Sequence, residues 1–170
     1  MPISAQSKAV LVDQIGGRQV PLRPTVKLGS SAGRSSASAV VAAERRAFLL
    51  MNAQRQANGL GALQWDEELA DLARLHARNM SEGKFFSHRG LDGTTVDQRA
   101  ARLGIKWTGI GENIAALRGH DDPASYAVEK WMNSNSHRKN ILYGAWRTSA
   151  IGAFEGDDGT IYFTQVFVYN

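Results

Sequence analysis

The 170-residue sequence contains no cysteine, which excludes a disulfide scaffold, a thiolate zinc site and a cysteine nucleophile. Proline is scarce, with four residues, so collagen-like architecture is excluded as well. Long apolar runs are also missing: the two longest, Ala39–Ala43 and Ala47–Met51, are five residues each. A membrane-spanning helix needs about 20 and a signal-peptide core about 7. No transmembrane segment is therefore expected, and the chain is either cytosolic or follows a targeting segment that has been removed. What remains is ordinary for a single globular domain, at 43% hydrophobic and 21% charged residues.

The net charge of +4 suggests nucleic acid until the charges are placed. Residues 1–38 carry five basic side chains (Lys8, Arg18, Arg23, Lys27, Arg34) against Asp13, whereas residues 39–170 hold fifteen of each sign. A duplex-binding domain carries its excess on the folded face that meets phosphates, so no nucleic-acid partner is expected. Residues 1–38 read as a basic arm with a candidate hairpin, Val10–Ile15 and Arg18–Leu22 around Gly16-Gly17, then a flexible linker of small residues, Gly29–Ser38.

From Ala39 the pattern turns helical, with Val40, Ala43, Ala47, Leu50 and Met51 on one face and a stop at Asn58-Gly59. Asp66 caps a second helix whose apolar face is Leu69, Leu72, Ala73, His76, Ala77 and Met80. Thr95-Val-Asp-Gln98 is a capping box opening a third, and Asp122-Pro123 opens a fourth with Ala124, Ala127, Val128 and Trp131 inward. Thr148–Gly156 and Thr160–Tyr169 then alternate as strands around Asp157-Asp-Gly159, the second apolar on both faces. Helices before a doubly covered antiparallel hairpin predict an α/β fold, a three-layer α-β-α sandwich with a central antiparallel sheet.

Without cysteine, chemistry must come from histidines, carboxylates and hydroxyls. His76, on an apolar helix face, reads as a core histidine bonded to backbone, and His120 as solvated. His88 and His137 each follow a helix, and imidazoles at such ends can converge on one cleft as bases or ligands. Glu112 stands in the apolar stretch Gly109–Ala115; it either faces water from an edge strand or is buried, and then it is paired or its pKa is raised. Ser134 and Ser136 lie near His137, but no nucleophile elbow accompanies them.

Taken together, Leu50-Met-Asn52 with Arg55, Leu63-Gln-Trp-Asp66, His76–Met80, Phe86-Ser-His88, Gly111-Glu-Asn-Ile-Ala115, Trp131 with Ser134, His137–Leu142 and Ile151-Gly152 resemble the CAP superfamily, in particular its bacterial SCP-like branch. The similarity runs from about Phe48 to Phe167, making residues 39–170 the CAP domain. The resemblance implies the sandwich fold and a cleft holding two histidines and two glutamates. Three of these map to His88, Glu112 and His137, the second glutamate falls on Ser134, and Asn113 and Gln165 join the cleft. It further implies export, hence a secreted or envelope protein, and zinc or another divalent cation held by His88 and His137.

Three functions fit this resemblance. A binding module would use the cleft to recognise a lipid, a peptide or an envelope protein. A zinc-dependent hydrolase would use a metal-bound water with Glu112 as base. A third reading makes the tetrad remnant a buried hydrogen-bond network. Catalytic zinc usually takes three protein ligands, and two are present here, which favours the binding module. Surface placement of Trp107 or Trp146 would point to a lipid partner.

Overall fold

A computed structural model describes residues 33–170, so the hairpin expected near residues 10–22 lies outside the described residues. In chain order the elements are α1 (Gly33–Ala57), β1 (Gln64–Trp65), α2 (Glu67–Glu82), α3 (Val96–Arg102), β2 (Gly109–Arg118), α4 (Pro123–Asn133), α5 (Asn135–Ile141), β3 (Thr148–Glu155) and β4 (Thr160–Tyr169). The four strands form one sheet in the order β1-β3-β4-β2. The terminal hairpin pairs as expected, from Thr148 opposite Val168 to Glu155 opposite Ile161. β2 runs antiparallel along the other side of β4, from Gly109 opposite Tyr169 to Arg118 opposite Thr160.

Two clusters of buried side chains lie on the two faces of this sheet, and β4 supplies both. Phe163 and Phe167 pack with Phe48 and Met51 of α1, Val128 and Trp131 of α4 and Ile141 of α5. Val166 and Val168 pack with Leu69, Leu72 and Ala73 of α2 and Val96 and Ala100 of α3. Successive side chains of a strand point to opposite faces, so a strand apolar at every position needs a layer on each side. The three-layer sandwich follows from that pattern.

The helix signals act as local chemistry requires. Asp66 accepts a bond from Leu69 N at 3.1 Å, and Asp122 accepts one from Ser125 N at 3.1 Å. Thr95 N donates to Gln98 Oε1 at 3.0 Å, the reciprocal half of a capping box. All six apolar-face residues of α2 and all four of α4 are buried.

Three details depart from the sequence reading. α1 starts at Gly33, so residues 33–38 of the small-residue stretch are helical and not linker. Propagation costs far less than nucleation, so a helix already formed on the packed face from Val40 onward extends back through a short run that holds one arginine, one alanine and serines of middling propensity. Gln64–Trp65 forms a short strand parallel to β3, so the sheet is not wholly antiparallel. A fifth helix, α5, which the sequence reading did not include, holds His137 just after α4. Of the two alternatives open for Glu112 the buried one holds, although β2 is an edge strand.

Candidate functional site

Glu112 lies on β2 two residues after Ile110, on the sheet face covered by α2 and α3, and is 2% exposed. A carboxylate so buried must be paired, and both its oxygens are. Oε2 accepts from Arg99 Nη2 at 2.5 Å, and Oε1 accepts from His88 Nδ1 at 2.8 Å. His76 Nε2 stands 4.0 Å from Oε1. Burial by itself would raise the Glu112 pKa; the His88 hydrogen bond and the Arg99 charge outweigh it and hold the group below the usual carboxylate range.

Because an ionised carboxylate only accepts, His88 Nδ1 carries a proton and donates it to Glu112, which fixes the ring's orientation. The ring's Nε2 is buried and has no hydrogen-bond partner among the described residues. The turn carrying His88 is positioned from three sides. Lys84, with φ 53°, turns the chain away after α2, and Arg99 Nη1 holds His88 O at 3.0 Å and Thr94 O at 2.9 Å. His76 Nε2 donates to Ser87 O at 3.0 Å, which makes it the backbone-bonded core histidine expected from its helix face. Burial lowers its pKa.

The second half of the site comes from another helix. His137 of α5 has its Nδ1 2.8 Å from Ser134 Oγ, and Ser134 Oγ lies 3.1 Å from Ser136 Oγ. Burial, with a further contribution from the nearby His88, lowers the His137 pKa to about 4, so its ring is neutral at physiological pH. Asn113 Nδ2 is 3.4 Å from both His137 O and Gln165 Oε1, and Gln165 Nε2 is 3.4 Å from Ser149 Oγ. Asn113 and Gln165 have no exposed surface and form an internal network.

Asn140 ties the halves together. Its Nδ2 donates to Glu112 O at 3.2 Å and Asn113 Oδ1 at 3.0 Å, while its carbonyl accepts from Trp146 Nε1 at 2.8 Å. Trp131 Nε1 donates to Ile114 O at 3.0 Å, two residues along the same strand. The structure thus brings Glu112 to His88 and Ser134 to His137, with the two histidines near enough for His88 to affect His137. His120 is exposed and stacks on Tyr126, remote from this chemistry in its contacts.

Arg99 and Asn140 are the residues that sequence reasoning missed. A signal for Arg99 exists: it stands three residues after Val96, on the buried stripe of α3 that continues with Ala100. Asn140 had only its place in the quoted motif.

The two imidazoles suit a divalent ion in part. His88 is oriented by a carboxylate on its other nitrogen, as metal-bound histidines usually are, and its free Nε2 is otherwise an orphaned buried polar atom. Among the described residues, however, no group of three histidines, cysteines, aspartates or glutamates is placed to hold a metal. The two histidines fall short of the three-ligand set typical of catalytic zinc.

Comparison with known proteins agrees with this architecture. The chain is 37% identical over 134 residues to the uncharacterized protein YkwD of Bacillus subtilis, covering 79% of this chain and 50% of that protein. An uncharacterized membrane protein of the same organism, YlbC, is 33% identical over 125 residues, covering 74% of this chain and 34% of YlbC. The chain thus spans half or less of the length of these relatives. Among solved structures, an extracellular SCP-domain protein of Bacillus anthracis superposes with a TM-score of 0.75 at 29% identity, over 84% of this chain and 45% of that one. Residues 48–167 match the profile of the Cysteine-rich secretory protein family, and the chain belongs to that family, CAP.

Proposed function

We propose that this CAP domain is an exported or envelope-associated binding module whose cleft offers the imidazoles of His88 and His137 to a divalent cation and to a lipid, peptide or protein partner. The observation that carries the reading is the double engagement of Glu112 by His88 and Arg99. A general base works best with a pKa near the operating pH and with a free lone pair aimed at the proton it removes. Glu112 has a lowered pKa and both oxygens committed, so it acts as the group that orients His88. This disfavours a hydrolase with Glu112 as base. A bound divalent ion would supply a positively charged, Lewis-acidic anchor for an oxygen or nitrogen atom of the partner. The extracellular description of the Bacillus anthracis neighbour supports export. Trp146 is buried and Trp107 half-buried, so neither is the surface tryptophan that would single out a lipid.

Zinc titration by calorimetry at neutral pH tests the reading. One-to-one saturable binding is expected in the wild type and its loss in the His88→Ala/His137→Ala double variant. Absence of binding in both proteins would overturn the metal part of the proposal. Metal-dependent turnover that Glu112→Gln abolishes without loss of zinc affinity would overturn the binding module in favour of an enzyme.

A further inference from the structure

A pocket of about 330 Å³ opens between the end of α1 and the loop before β3, away from the two histidines, and two arginines line it. Arg55, in the last turn of α1, is 2% exposed. Its Nε donates to Gly61 O at 2.9 Å and its Nη1 to Ile141 O at 2.7 Å and Tyr143 O at 3.0 Å. A guanidinium has five N–H groups, and these bonds use three. Nη2 has no hydrogen-bond partner among the described residues. Arg147 folds its Nη1 over the carbonyls of Gly144, Ala145 and Trp146, at 3.2, 2.8 and 3.0 Å. Its Nε and Nη2 likewise have none. Among the described residues no carboxylate lies within ion-pair distance of either arginine, in contrast to Arg45, which meets Glu67, and Arg46, which meets Asp122.

Two unneutralised cations on one concave surface, one of them buried, repel each other; burial lowers the Arg55 pKa, and the charge of Arg147 lowers it further. An anion between them would relieve this. We propose that the pocket binds an organic carboxylate. The free Nε–Nη2 edge of Arg147 is the fork that takes both oxygens of a planar carboxylate, and Arg55 Nη2 supplies a further donor. The rest of the lining is part apolar: Leu60, Ala62 and the indole of Trp146 offer a wall for a hydrocarbon body, with the Gln64 side chain at hand for a polar substituent. This wall argues for a carboxylate attached to carbon and against inorganic phosphate. The volume lies at the small end of the range for ligand pockets, enough for a small carboxylic acid or the last residue or two of a peptide.

The test is a titration of the isotope-labelled full chain, followed by amide shifts, with benzoate, benzamide, inorganic phosphate and N-acetyl-leucyl-leucine. Saturable shifts centred on Gly144, Trp146 and Arg147 are expected with benzoate or the dipeptide, at about millimolar affinity. The tighter of these two identifies the source as a free acid or a peptide end. Arg147→Gln should weaken binding about tenfold or more while the spectrum stays dispersed, and Arg147→Lys, which keeps the charge and loses the fork, should fall between. Benzamide binding as well as benzoate would overturn the proposal, as would phosphate binding as tightly. So would shifts centred on His88 and His137, an unchanged affinity in Arg147→Gln, or no saturation at about 20 mM.

Discussion

A carboxylate without exposed surface has either to take up a proton or to meet a cation, and Glu112 meets Arg99 at 2.5 Å. Removing one member of such a pair leaves the other charged and stranded. Glu112→Gln should therefore destabilise the fold by about 3–5 kcal/mol, read from urea unfolding. Arg99→Met combined with Glu112→Gln should recover part of that loss, because no lone charge is left behind; the recovery stays partial because Arg99 also serves the carbonyls of His88 and Thr94. Equal losses for the single and double variants would show that the pair's mutual attraction contributes little. The same logic explains what the sequence revealed at this scale. Glu112 could be identified as unusual because its neighbours are apolar, whereas its partner could be found only by placing Arg99 on the stripe begun by Val96. Glu44 has the same signature, four residues after Val40 on α1, and it too is buried, against Arg74 at 2.7 Å and Ala153 N at 2.9 Å.

Elements that announce themselves do so through end chemistry and period. α2, α4 and the β3–β4 hairpin were legible because caps, glycines and apolar spacing agree there. α5 was not, since Asn135–Ile141 has one apolar residue in seven and no period to read. β1 is two residues long and exists only because β3 is beside it. Contacts between elements are also invisible in a pattern of spacing. Gly152 of β3 lies so near α2 that a Cβ added there would collide with backbone atoms of Ala73 and Arg74. Backbone cannot step aside as a side chain can, so Gly152→Ala should push α2 off the sheet and cost about 1–3 kcal/mol or more, measured as a drop in unfolding midpoint. Gly59→Ala, where an added Cβ meets nothing but φ is +77°, tests a different effect and should lose about 1 kcal/mol.

At the scale of the whole molecule, acid sensitivity follows from the buried imidazoles. His137 titrates near 4 in the folded chain against about 6.5 for a free histidine, and His76 is shifted in the same direction. Above pH 6.5 both are neutral in either state and contribute no pH dependence. As pH falls from about 6.5 to 4 the unfolded chain takes up protons that the folded chain refuses, so stability declines by up to about 3 kcal/mol from His137 alone. Glu112, with its lowered pKa, adds to the loss only below its ordinary range. Urea unfolding at a series of pH values should show the decline beginning above pH 6, and His137→Gln should flatten it. The layered architecture itself was legible from β4 alone; the engagement of Glu112 by both His88 and Arg99 was not, since spacing along a chain carries no record of which side chains the fold brings together.

β2 sits at the boundary of the sheet, and an unpaired strand boundary is a template on which another chain can hydrogen-bond. Here the carbonyls of Glu112 and Ile114 are already occupied by the side chains of Asn140 and Trp131. The same two donors that hold the site in place therefore also withhold the middle of this edge from strand addition, without any covalent bond.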